Sequence, residues 1–433
     1  KIFKVRGDKL LKERGEEMFG MFDKSGKLHE TKEEILDILT EYNDDLLGRD
    51  EHKPDFKEIY EMKRDLMETL KETKIEDFDT LTQGEFVRAI DKIRRNKKPL
   101  FKVFLSSSPR FQAVMFMILR DIYETEKIPE SMKTTRLVPL FKKGDPRDPA
   151  NYRYLHLRSD PARIFEAVVY LKLEDHFSKC TPESQQGGLK ECDTIENLVT
   201  MVSIINERER TEKSMITTFV DAIKFFDKCH LSDTQSVMVL QKADKKAVKV
   251  LQKFQEENKV HIQGSDKFIH VNNGEGQGGI SNPPRIGNAL ADGTERQINQ
   301  ISEENRMKHN EEFCDALGYV DDEALNAGNA KDSKILNESY SITLNEIAAS
   351  AHPVKSKQVL FGCQEAIERT KVDLEAVPSI LQGNIVGRSV QEKYLGLEFP
   401  EGGVKKMIDV NIEEKCKKLQ KVAFEIKQTC ELP

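Results

Sequence analysis

The stretch Leu317-Gly318-Tyr319-Val320-Asp321-Asp322-Glu323-Ala324-Leu325 sets two adjacent aspartates between short apolar runs. The residues on either side predict a β-hairpin whose turn presents both carboxylates at one point. Adjacent carboxylates repel each other unless a cation lies between them, which makes Asp321 and Asp322 candidate ligands for Mg²⁺. Taken alone, such a pair is ordinarily a solvated turn former. The functional reading therefore needs a third carboxylate from elsewhere in the chain. Met215-Ile216-Thr217-Thr218-Phe219-Val220 is β-branched and apolar, and it reads as a buried strand ending on Asp221. If that strand pairs with the later hairpin, Asp221 joins Asp321 and Asp322. Three carboxylates can hold two Mg²⁺ ions about 3.5–4 Å apart, with Mn²⁺ as a substitute, and such a pair activates a hydroxyl and stabilises a leaving pyrophosphate. Asp227 and Asp233 fall past the strand end and read as helix-entry residues.

Working outward, the first hundred residues are helical in pattern. Thr31-Lys32-Glu33-Glu34 is a capping-box sequence followed by Ile35, Ile38, Leu39, Tyr42 and Leu46 at helical spacing. Further helices are expected over 56–72, over 82–95 behind Thr82-Gln83-Gly84-Glu85, and over 110–126. The composition then changes. Arg136-Leu137-Val138-Pro139-Leu140-Phe141 reads as a strand, Lys142-Lys143-Gly144-Asp145-Pro146 as a turn, and Asn151-Tyr152-Arg153-Tyr154-Leu155 as its return. Helices are expected over 161–178, 194–209, 231–257 and 285–300, with a turn at Gln185-Gln186-Gly187-Gly188 and a hairpin across Gly264-Ser265-Asp266. Asn272-Asn273-Gly274-Glu275-Gly276-Gln277-Gly278-Gly279 is the most glycine-rich stretch. Past the aspartate pair, helices are expected over 330–350 and from 409 onward, with strands at Gln358-Val359-Leu360-Phe361 and Tyr394-Leu395-Gly396-Leu397.

At 433 residues the chain can hold two or three domains, and with a third of its residues charged and 38% hydrophobic it reads as soluble and intracellular. No apolar run approaches the roughly 20 residues that a membrane span needs, so no membrane partner is expected. Seven scattered cysteines, an odd number with no close chelating pair, read as reduced thiols. The net charge of −7 argues against a pure nucleic-acid clamp, yet Ser131 to Arg153 carries six Lys or Arg against two Asp. Lys142, Lys143 and Arg153 are thus candidates to hold a triphosphate, Arg as a bidentate partner and Lys as a point charge. The glycines around Gln277, Gly278 among them, would let backbone approach a nucleotide closely.

In this order the motifs resemble the reverse transcriptases of non-LTR (LINE-like) retrotransposons. Ile128-Pro129, Leu137 through Asp145 and Asn151-Tyr152-Arg153 resemble that family's fingers hairpin, and Gln185 through Ile195 the fingers motif that follows. Phe219 through Asp227 is similar to palm motif A, Gln277-Gly278-Gly279 with Pro283 to motif B, and Tyr319-Val320-Asp321-Asp322 to motif C. Leu344-Asn345 with Lys355-Ser356-Lys357 and Phe361 resembles motif D, and Lys393-Tyr394-Leu395-Gly396 the primer-grip motif E. Departures are Tyr154 where the family usually has Pro, His156 for Ser, Leu189 and Gly276 where many members carry Arg, Asn282 for Ser, and Phe225 for Ala.

The resemblance implies an α+β right-hand polymerase: a helical N-terminal extension over 1–98, fingers over 99–212, palm over 213–400 and the start of a thumb over 401–433. It implies RNA-directed DNA polymerisation with an RNA template, a DNA primer and dNTPs, in the nucleus. Asp221, Asp321 and Asp322 would be the metal-binding catalytic triad. Lys142 or Lys143, with Arg153, would contact the triphosphate, Phe226 would exclude a 2′-hydroxyl, Gln277 would line the nucleotide pocket, and Lys355 or Lys357 would protonate the leaving pyrophosphate. The rest of the thumb and an endonuclease are expected on other parts of a longer polyprotein, in keeping with a chain that opens on Lys1. The alternative is a degenerate fold of this type that binds RNA or protein without catalysis, which the acidic balance favours and the intact triad opposes.

Overall fold

Helix starts follow the capping chemistry in the sequence. Thr31 and Glu34 close a reciprocal box, with Glu34 N–H donating to Thr31 Oγ1 at 3.3 Å, and α1 runs Lys32–Gly48. Thr82 and Glu85 repeat it, Thr82 N–H donating to Glu85 Oε2 at 2.8 Å. The computed structural model describes residues 20–48, 53–75, 80–94, 108–189, 192–256, 258–271, 282–309 and 311–429. The further helices are α2 (Lys57–Glu72), α3 (Gln83–Arg94), α4 (Pro109–Thr125), α5 (Asp160–Cys180), α6 (Thr194–Arg210), α7 (Leu231–Leu240), α8 (Lys245–Glu256), α9 (Asn282–Ile298), α10 (Ala330–Glu346), α11 (Gln364–Ala376) and α12 (Val404–Thr429). The main strands are β1 (Thr134–Phe141), β2 (Tyr152–Arg158), β3 (Ser214–Val220), β4 (Lys259–Ile262), β5 (Phe268–Ile269), β6 (Ala316–Tyr319), β7 (Asp322–Ala327), β8 (Lys357–Gly362), β9 (Gly387–Arg388), β10 (Gln391–Tyr394) and β11 (Leu397–Pro400). This is the mixed helix and sheet content of an α+β protein.

The chain divides into two compact units, each made of two stretches: Lys1–Lys179 with Phe226–Arg285, and Cys180–Phe225 with Ile286–Pro433. In the first, strands run in the order β2-β1-β4-β5, with β1 and β4 parallel. Leu137, Tyr154, Val260 and Ile262 of this sheet form a core with Leu36, Leu39 and Leu47 of α1. In the second, a five-stranded sheet runs β6-β7-β3-β8-β9. Every residue of β3 is buried, as expected of a central strand covered on both faces. On one face Phe219 packs its ring 5.4 Å from Tyr394 and 5.9 Å from Phe399. On the other, Thr218 Oγ1 accepts from Asn337 Nδ2 of α10 and Gln358 Nε2 of β8, both at 3.1 Å.

The structure departs from expectation in four places. The helix expected over 231–257 is two, because Lys242 takes a left-handed conformation at φ 63° and Ala243 N–H donates back to Met238 O at 2.9 Å, closing α7. The strand expected around Tyr394 to Leu397 is the tip of a hairpin, with Leu395 and Gly396 forming the turn between β10 and β11. Helix α11 lies where no helix was expected. Gln185 and Gln186, expected in a turn, run beside β6 instead: Gln186 N–H donates to Gly318 O at 2.9 Å and Gly318 N–H to Ser184 O at 2.6 Å, covering the sheet edge. Cys314, Cys363 and Cys416 are free thiols. Among the described residues, no helix is long and apolar enough to cross a membrane.

Candidate active site

The three aspartates lie at strand ends and a turn of the second unit's sheet: Asp221 just past β3, Asp321 in the β6–β7 turn and Asp322 at the start of β7. Strands β6 and β7 pair antiparallel, with Tyr319 opposite Asp322, so the hairpin turn is the two residues Val320 and Asp321. Strand β7 pairs antiparallel with β3, Glu323 opposite Val220 and Ala324 opposite Phe219. Asp322 and Asp221 each adjoin the Glu323–Val220 pair, Asp322 before Glu323 and Asp221 after Val220. Asp221 is tied down through its own backbone. Its N–H donates to Ser356 Oγ at 3.2 Å, and its carbonyl accepts from His352 N–H at 2.7 Å.

The other half of the site is a strained turn. Val320 has φ 63°, at the first turn position, where a two-residue hairpin with one positive φ ordinarily places glycine. A β-branched residue there is a genuine outlier, costing on the order of 1–3 kcal/mol that the surroundings must offset. The offset comes from the buried side chain of Gln185. Its Oε1 accepts the Val320 N–H at 2.6 Å, and its Nε2 donates to the Val320 carbonyl at 3.2 Å. Strand β6 is held again by Tyr394, whose hydroxyl donates to Leu317 O at 2.7 Å, and by Asn197, whose Nδ2 donates to Gly318 O at 2.8 Å.

Next to the pair, burial and the Asp322 carboxylate push the Glu323 carboxyl up to about 8. Burial also raises the Tyr394 hydroxyl, with Glu323 and Asp322 acting in the same direction. Lys355 Nζ lies 3.6 Å from Asp221 Oδ2, both side chains about half exposed. The donor set, carboxylate oxygens on two adjacent strand ends, suits a hard divalent cation. The side chains as they stand do not close around one: among the described residues, no three His, Cys, Asp or Glu form a metal-holding group.

Of the other expected site residues, Lys142 and Lys143 are exposed at the β1–β2 turn and Arg153 is exposed on β2, all in the first unit. Phe226 is half-buried on the single helical turn Phe225–Lys228. Gln277, Gly278 and the rest of the expected motif B through Gly279 lie outside the described residues. Two departures from the family pattern are absorbed by the interior of the first unit. Tyr154 is buried, and its hydroxyl donates to Pro149 O at 2.9 Å. Burial and the neighbouring Arg158 hold the His156 imidazole down at about 3, hence neutral.

Sequence reasoning did not foresee the roles of Gln185, Asn197, Ser356 and His352. Gln185 and Ser356 lay within recognised motifs, but nothing in the sequence said which backbone groups they would hold. No protein-family model matches the chain, and no curated protein is detectably similar to it.

Proposed function

We propose that the protein is an RNA-directed DNA polymerase of the non-LTR retrotransposon type, with fingers over 99–212 and palm over 213–400. The observation that carries this proposal is the ladder register, in which Asp221 and Asp322 adjoin the last β3–β7 pair and Asp321 lies in the adjoining turn. The order of the surrounding motifs supports it. Asp221, Asp321 and Asp322 would hold Mg²⁺ or Mn²⁺, which supplies activation of a primer 3′-hydroxyl and charge stabilisation of the departing pyrophosphate. Lys142, Lys143 and Arg153 would bind the triphosphate of the incoming dNTP, and Phe226 would exclude ribonucleotides by bulk. Lys355, already beside Asp221, would give a proton from Nζ to the leaving group. RNA template and DNA primer would be held through their backbones.

Primer extension tests this reading. Protein, a poly(rA) template, an oligo(dT) primer, dTTP and Mg²⁺ should give extension, and the Asp321→Asn/Asp322→Asn variant should lose it by at least about a thousandfold, as expected when groups that act as a unit are removed. Equal extension by both proteins would remove the aspartates from the chemistry. The Lys355–Asp221 pair favours a second reading, a fold of this type that binds RNA or protein without polymerising. Template binding with no extension in Mg²⁺ or Mn²⁺ is its signature.

A further inference from the structure

The Gln185 side chain is 1% exposed and makes no contact with solvent that would account for a polar group there. Its carboxamide is spent on backbone. Oε1 accepts from Val320 N–H at 2.6 Å and from Gly187 N–H at 2.8 Å, while Nε2 donates to Val320 O at 3.2 Å. The space around it is lined by glycines. A Cβ on Gly318 would sit 2.8 Å from Gln185 Nε2, and one on Gly287 would sit 3.3 Å from Gln185 Cδ. A Cβ on Gly187 would collide with the Val320 backbone nitrogen. Both backbone groups of a single residue are thus read by one side chain, and that residue is the β-branched valine in the left-handed region.

We propose that Gln185 is a positioning residue for the aspartate pair: by holding both backbone groups of Val320, it fixes the strained turn that sets Asp321 and Asp322 in place for a divalent cation. This rests on the reading of those aspartates as metal ligands. Leucine, asparagine or alanine at this position could not supply an acceptor and a donor at that reach. Glutamate could accept from Val320 N–H but, when ionised, would face the Val320 carbonyl with a second negative oxygen.

The test uses Mn²⁺ alone, titrated against the full chain and followed by the paramagnetic resonance signal of free Mn²⁺. Peptide-level hydrogen exchange across residue 320 is measured in parallel. Gln185→Ala and Gln185→Glu should each weaken Mn²⁺ binding by about tenfold, the size expected when the support of a metal ligand is lost. Both should also speed exchange at Val320. Adding Val320→Gly to Gln185→Ala should restore most of the lost affinity, because glycine takes the positive φ without help. A purely structural role for Gln185 would not be rescued at that position. The proposal is overturned if both Gln185 variants keep Mn²⁺ affinity within about twofold while exchange at Val320 rises. It is equally overturned if the glycine variant restores nothing. A wild-type chain that binds Mn²⁺ but extends no primer removes the polymerase reading and leaves this one to be judged by the titration. A wild-type chain that binds no Mn²⁺ removes both.

Discussion

Two hairpins in the same unit turn their corners in different ways. Between β10 and β11 the turn is Leu395-Gly396, with φ of 45° and 91°, and a Cβ added to Gly396 would meet nothing within 4 Å. Gly396 takes its positive φ freely, while Leu395 beside it is a left-handed non-glycine residue packed against the unit's core. Between β6 and β7 the turn is Val320-Asp321, with the valine in the left-handed region, and the corner is held from outside by Gln185 and by the close approach of Gly187. The first turn is open around its glycine, and the second is gripped at Val320 by the Gln185 carboxamide.

Alanine substitutions should separate the two turns most widely. Gly187→Ala forces a methyl group into the Val320 backbone and should cost about 3 kcal/mol in urea unfolding. Gly396→Ala meets open space and should cost only about 1 kcal/mol, the penalty of a left-handed alanine. Equal losses would mean that the approach of Gly187 to Val320 does not constrain the turn.

The same contrast explains what the sequence disclosed. Turn chemistry, caps and hydrophobic period are local, so α1, β1, β2, β3 and the β6–β7 hairpin were legible from residues such as Thr31, Glu34 and the β-branched run before Asp221. The break at Lys242 was not, because lysine stands where a helix stop usually shows glycine. The β10–β11 turn was hidden because Leu395 and Gly396 sit inside what reads as one strand. The strand before Asp221 and the hairpin carrying Asp321 and Asp322 could be anticipated. Their supports could not, since Gln185 meets Val320 across 135 positions of sequence and only the folded sheet brings them together.

Buried charge also divides the hairpins. Glu398 on β11 has a cation, Lys393 Nζ at 3.4 Å, whereas Glu323 on β7 is buried beside Asp322. Burial lifts the Glu323 carboxyl from an ordinary carboxylate range to about 8, so the folded state keeps a proton that the unfolded chain releases near pH 4.5. The stability this contributes is fully present below the unfolded value and is lost as pH rises through 8. Thermal unfolding of the wild type should therefore lose midpoint between pH 5 and 9 relative to Glu323→Gln, whose amide cannot ionise. Parallel curves for the two proteins would mean that Glu323 is not protonated in the folded state.

The smallest effects belong to the exposed ion pairs. Lys355 with Asp221 at 3.6 Å and Lys393 with Glu398 at 3.4 Å are alike in length and in the exposure of their lysines. Removing either lysine should change stability by less than about 1 kcal/mol, because water screens such pairs. They should differ in what they compete with. Lys355 occupies a carboxylate that a cation would need, so Lys355→Ala should tighten Mn²⁺ binding by about twofold to fivefold, the affinity equivalent of a pair worth up to 1 kcal/mol. Lys393→Ala should leave Mn²⁺ binding unchanged. Loss of extension in Lys355→Ala despite tighter Mn²⁺ binding would assign the lysine to proton delivery. A matching gain in both variants would show that only the general charge of the unit had changed, and that the Lys355–Asp221 contact has no special bearing on the site.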